Sequence, residues 1–118
     1  MIAFRKYSVV LLLGLLLGPV GLEAANKANS VQMKFFEMRV RPLLAEHCYS
    51  CHGPDKQKAG LRLDSLEAIQ KGSWHGAVVE SGKPDGSLLI TAVLRTDPDL
   101  QMPPKKALNA EQVKDLEN

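Results

Sequence analysis

Cys48 and Cys51 are the only cysteines in a chain of 118 residues, and His52 follows the second directly. Three chemistries use a Cys-x-x-Cys: a dithiol redox pair, half of a zinc site, or a covalent attachment point for haem. A dithiol oxidoreductase sets its pair at a helix N-terminus after a strand, where the dipole lowers the first thiol's pKa. Here a helical pattern leads into the motif, and no strand–helix alternation surrounds it. Structural zinc needs four ligands, usually as two separated pairs. Only His47 and His75 remain, no distant pair exists, and His52 adjoins Cys51 too closely for an ordinary site. Cys-x-x-Cys-His is the signature of c-type haem attachment. Positions i, i+3 and i+4 of a helical turn share a face, which directs Cys48, Cys51 and His52 at one object. The expectation is one covalent haem c, with Cys48 and Cys51 forming thioethers to its vinyl groups and His52 binding the iron from the same side.

An electron-transfer haem normally takes a sixth ligand, and a methionine there raises the reduction potential because a soft, neutral thioether favours Fe(II). Met33, Met38 and His47 lie in the segment leading into the attachment turn, which holds the proximal side. Met33 and Met38 sit at helical spacing with Phe35 and Phe36 and read as core packing. His75, in "GSWHG", is a rival that would give bis-His coordination, though it reads more readily as a surface histidine. Met102 lies 50 residues after His52, in a loop stiffened by Pro98, Pro103 and Pro104. Prolines preorganise a ligand that would otherwise lose loop entropy on binding. Met102 is the expected distal ligand. Around the site, the Gly53–Pro54 backbone could accept from the other His52 nitrogen. Arg62 could pair with a haem propionate or be solvated, and so could Lys56 and Lys58 ring an exposed edge or stay solvated. Trp74 reads either as burial or as packing on the haem.

The elements that position these residues are helical. From Val31 to Cys48, Phe36, Val40, Leu44 and Cys48 are successive i, i+4 steps. Pro42 either kinks this helix or occupies the first turn of a shorter one starting near Arg41. Residues 53–60 form a loop. A short helix fits 65–71, with Asp64 and Glu67 as a capping box and Gly72 at its exit. The glycine-rich stretch 72–86 reads as loop. Residues 87–95 read as a helix capped by Ser87, with a strand as the alternative given their β-branched content. Three prolines exclude regular structure over 96–108. Asn109 caps a last amphipathic helix, with Gln112 completing its box and Val113 and Leu116 on one face. Long loops in so small a domain make sense if they wrap something.

Ahead of this, Arg5 and Lys6 precede the apolar run 9–22, with small residues at Ala24 and Ala25. That is the layout of a secretory signal peptide over 1–25, the alternative being an uncleaved anchor. Residues 26–34 read as a linker and 35–118 as one domain. Beyond residue 25 the chain holds 13 Lys/Arg and 12 Asp/Glu. With no basic block, nucleic acid is not an expected partner. About 93 residues make a small core that commonly needs a staple, which a covalent haem would provide.

The stretches "VRPLLAEHCYSCHGPDKQKAGLRLDS" (40–65), "SGKPDGSLLITAV" (81–93), "QMPP" (101–104) and "ALNAEQVKDLE" (107–117) together resemble the planctomycete-type cytochrome c domain. The resemblance spans about residues 35–117. It implies an all-α, cytochrome c-like fold of a few helices and long loops around one haem. It also implies Cys48 and Cys51 as thioether positions, His52 as proximal and Met102 as distal ligand. Such domains often stand at the N-terminal end of longer secreted proteins, and their last helix usually continues, so the domain is expected to be truncated there. The function expected is an exported monohaem c-type cytochrome, periplasmic or at the cell surface, that carries single electrons and is not itself an enzyme. The alternative is a haem relay, or a ligand-binding or peroxidatic domain, within a larger secreted enzyme. The partner would be a redox protein or a fused redox domain, with no membrane span beyond the signal.

Overall fold

The computed structural model describes residues 20–118. The signal-peptide reading falls mainly on residues 1–19, outside that range. Helix α1 (Val20–Phe35) runs into a π-helical turn (Phe36–Val40), then α2 (Arg41–His47) and α3 (Tyr49–His52). After a loop come α4 (Leu66–Lys71), α5 (Leu88–Leu94) and α6 (Ala110–Glu117), with single 3₁₀ turns at Lys58–Gly60 and Pro84–Gly86. Among the described residues there is no strand, only isolated bridges at His52–Gln57 and Ser73–Gly76. The architecture is all-α with long loops, as expected, and 87–95 is helical and not a strand.

Both readings of Pro42 hold part of the truth. It occupies the first turn of α2, and the helix reaches it through the π-helical turn, in which the Arg41 N–H bonds to the Phe36 carbonyl. Proline offers no N–H and crowds the carbonyl four residues back, and a wider turn relieves both problems. Residues 26–34, read as a linker, are helical and exposed. Met33 and Met38 are 62% and 64% exposed, so they are not core residues. The helical spacing is real, but among the described residues nothing buries these two side chains.

Neighbouring leucines of α2 feed two clusters. Leu43 joins Val93, Leu108 and Val113, which binds α2 to α5 and α6. Leu44 joins Cys48 and Leu63. Leu89 of α5 and Leu116 of α6 pack against both clusters. Ten apolar residues are buried in the described part. Burying one Leu or Val contributes roughly 1.5–3 kcal/mol, so a core this small leaves little margin for loss at any of them.

Local chemistry sets the helix ends. Asn109 caps α6 in a full capping box with Gln112, as the spacing required. At α4 the cap is Ser65, not Asp64: its hydroxyl accepts from the Ala68 N–H at 3.2 Å. Asp64 is taken instead by Arg62, whose Nε and Nη2 donate to its carboxylate at 2.9 and 2.6 Å. Ser87 precedes α5 but makes no capping bond. Its hydroxyl accepts from the Glu80 N–H at 2.9 Å and donates to the Lys83 carbonyl at 3.0 Å, tying down the turn before the helix.

Candidate functional site

The attachment turn begins where α2 stops. Cys48 has φ −122° and ψ −39°, which interrupts the helix between His47 and Tyr49. Its N–H still bonds to the Leu44 carbonyl at 2.8 Å, and its own carbonyl accepts from Cys51 at 3.1 Å and His52 at 2.8 Å. One turn therefore carries Cys48, Cys51 and His52, as the spacing implied. The chain leaves at Gly53, where a Cβ would overlap the Tyr49 carbonyl oxygen. Only glycine fits this buried position without displacing backbone.

The loop after Gly53 returns to the same turn. Gly53 donates to the Lys56 carbonyl at 2.9 Å, and Leu63 donates to the His52 carbonyl at 2.8 Å. Leu63 is 2% exposed and packs against Cys48 and Leu44. The "GLRLDS" stretch thus alternates: Leu61 and Leu63 face the cluster, and Arg62 pairs outward with Asp64.

The two cysteines differ. Both are free thiols, Cys48 buried and Cys51 half-buried. Burial pushes the Cys48 thiol up to about 11, because an apolar surrounding disfavours the thiolate. A dithiol oxidoreductase needs the opposite, a first thiol of lowered pKa, and no preceding strand or full helix N-terminus supplies it. Among the described residues no three His, Cys, Asp or Glu side chains cluster for a metal ion. The attachment turn by itself therefore does not enclose an ion-sized point.

His52 carries the sharpest signal. Its Nδ1 is buried and has no hydrogen-bond partner among the described residues, and no other buried side-chain nitrogen or oxygen there shares that state. The expected bond to the Gly53–Pro54 backbone is not made. Buried polar atoms are almost always satisfied, and leaving one unpaired costs about 1–3 kcal/mol. An imidazole beside two thiols on one turn has the donor set of a c-type attachment turn, so the residues fit haem. Cys48 and Cys51 would form the thioethers and His52 would bind iron.

Met102 stands on a separate element and in neither core cluster. It is half-buried, and its N–H donates to the Ala92 carbonyl of α5 at 2.9 Å. Arg95 holds both neighbours, with Nη1 donating to the Pro103 carbonyl at 2.7 Å and Nη2 to Gln101 Oε1 at 2.8 Å. Leu89 of the same helix packs on the Cys48 cluster, so α5 ties the Met102 loop to the core behind the attachment turn.

The other candidates fall elsewhere. His47 lies between α2 and α6, its Nε2 3.1 Å from Gln112 Nε2. His75 is exposed in the Ser73–Gly76 turn. Trp74 is 80% exposed, which corrects the expectation of burial. Its indole lies against Gly60, whose φ of +69° and crowded Cα both call for glycine. Beside it opens a cavity of about 300 Å³ lined by Gln57, Gly60, Lys71, Gly72, Ser73 and Trp74. Neither Cys51, His52 nor Met102 lines it. Sequence reasoning named Gly53 only as a backbone acceptor, missing its steric role, and missed Arg95. The glycine after the motif was a readable signal; the reach of Arg95 to residues 101 and 103 was not.

A family model described as Planctomycete cytochrome C matches residues 48–106, half of the chain and inclusive of the attachment turn and Met102. Searches of curated proteins and of solved structures found no match.

Proposed function

Since the chain belongs to the planctomycete cytochrome c family, we propose that it is an exported monohaem cytochrome c domain that carries single electrons. Haem c would be held by Cys48 and Cys51, with His52 and Met102 as the residues that would bind its iron. The observation that carries this reading is the attachment turn itself: two free thiols and an imidazole, all within α3 and its N-terminal cap. Haem bound there supplies one-electron Fe(II)/Fe(III) chemistry.

The chain's own residues do the rest. The Leu44–Cys48–Leu63 cluster backs the attachment turn and excludes water from it. The His52 backbone is fixed by the Leu63 N–H. Met102 is presented by a loop fastened to α5. With His52 and Met102 both given to the iron, no coordination position would be left for a substrate, and the domain would serve as a carrier. Its electrons would pass to a redox partner protein or a fused redox domain. Among the described residues no helix is long and apolar enough to cross a membrane.

The axial assignment is tested by visible spectroscopy of the oxidised protein made with a cytochrome c maturation system. Thioether-ligated ferric haem shows a weak far-red band, which Met102→Ala should abolish and His75→Ala should leave in place. Persistence of the band in Met102→Ala assigns the sixth ligand to another residue.

A further inference from the structure

We propose that Arg95 is the positioning residue of the distal-ligand loop, a clamp that holds residues 101–103 against the end of α5 so that Met102 is presented ready to bind iron. This rests on the reading of Met102 as a ligand.

Four contacts converge on two points. α5 ends at Leu94, and Arg95 leaves it in the left-handed conformation, with φ 59° and ψ 31°. That is the position where helices commonly place glycine, because other residues are strained there. Arg95 accepts the strain, and in that conformation its side chain reaches the distal loop. The half-buried guanidinium forks onto the two residues flanking Met102: Nη1 donates to the Pro103 carbonyl at 2.7 Å and Nη2 to Gln101 Oε1 at 2.8 Å. The Ala92 carbonyl accepts from both Arg95 N at 3.3 Å and Met102 N at 2.9 Å. Residue 102 is thus fixed through its own main chain and through each neighbour, while its side chain makes none of these bonds.

The chemistry suits a guanidinium. Two acceptors spaced across one residue match its planar fork, whereas a lysine ammonium offers one compact point. The base of the clamp is firm, since Ile90, Ala92 and Val93 of α5 are all buried. In the loop it closes, residues 96–99 are exposed, and Asp97 and Asp99 are joined by a local turn bond. Without the fork, Met102 must order that loop each time it ligates, and the thioether competes less well for iron.

The test is titration of the ferric protein with free imidazole, following loss of the far-red band. Removing a charged hydrogen bond of this kind lowers the imidazole concentration for half-displacement by about tenfold or more. Arg95→Gly is the informative variant, because it relieves the backbone strain while deleting the fork. Strain relief is expected to offset part of the stability lost with the fork, while Met102 is released at lower imidazole. Gln101→Ala, which removes one acceptor only, is expected to shift displacement in the same direction by less, and Arg95→Lys to recover part of the loss. Unchanged displacement in both Arg95→Gly and Gln101→Ala overturns the clamp while leaving Met102 ligation standing. Lack of the far-red band in the parent protein, or its survival in Met102→Ala, overturns the ligation reading and the clamp together.

Discussion

His47 Nε2 lies 3.1 Å from the Gln112 side-chain nitrogen, a contact that joins the residue just before Cys48 to the first turn of α6. The direction of this bond is fixed by its neighbour. Gln112 Oε1 accepts from the Asn109 N–H at 2.9 Å, so the amide nitrogen is the atom facing His47. A nitrogen of that kind only donates. His47 Nε2 must then be the acceptor, which requires the neutral ring with its proton on Nδ1. One glutamine thereby closes a capping box and braces the helix that leads into the attachment turn.

Gln112→Ala removes both bonds and is expected to destabilise the domain by about 2 kcal/mol, at about 1 kcal/mol per hydrogen bond. His47→Ala removes one and should cost about half as much. Denaturant midpoints of the two variants measure this. Equal losses would mean that the glutamine's own capping bond carries no stability beyond the His47 contact.

Asp64 and Arg62 give the acid-side behaviour. The Arg62 guanidinium donates to the Asp64 carboxylate and holds it below its ordinary 3.8. A carboxylate with a depressed folded pKa stabilises above the unfolded value and loses that contribution as pH falls through the folded one. Asp64→Asn is therefore expected to be less stable than the parent near neutral pH and to converge with it as pH falls through the depressed folded value. A stability gap that stays constant as pH falls from neutral through the ordinary carboxylate range contradicts the pairing.

Thiol reactivity separates the two cysteines before haem is attached. With Cys48 pushed up to about 11 by burial, roughly one molecule in a thousand carries its thiolate at about pH 8. In the haem-free chain, iodoacetamide should modify the half-buried Cys51 well ahead of Cys48, as peptide mass mapping over time would reveal. Faster labelling at Cys48 would mean that the Leu44–Leu63 cluster does not shield it.

Gly53 is the tightest position in the attachment turn. A methyl group there meets the Tyr49 carbonyl oxygen, and relieving such an overlap typically costs about 1–3 kcal/mol. Gly53→Ala is expected to lower both thermal stability and the yield of haem-loaded protein. A variant with parental stability would show that the turn opens freely at this point.

The parts of this fold that were legible from sequence are those set by contacts three or four residues long. The Asn109–Gln112 box, the Gly72 exit and the Cys48–Cys51–His52 turn all follow from local spacing, and all are present. The cap of α4 falls one residue later than expected, because Asp64 and Ser65 both suit a cap and Arg62 claims the aspartate. Met33, Met38 and Trp74 are exposed although their apolar character implied burial. Periodicity reports which face of a helix is apolar, not whether anything covers it. Arg95 was invisible for a different reason. Its partners lie six and eight residues away across an irregular loop, and no repeat relates them.

One covalent haem at Cys48 and Cys51 is the claim on which the other assignments depend, and intact-mass spectrometry under denaturing conditions tests it directly. The protein, made with a cytochrome c maturation system, is expected to carry the added mass of a single haem that survives denaturation. Cys48→Ala combined with Cys51→Ala should lose it entirely. A parent protein of bare polypeptide mass from a host that matures other c-type cytochromes would contradict the assignment.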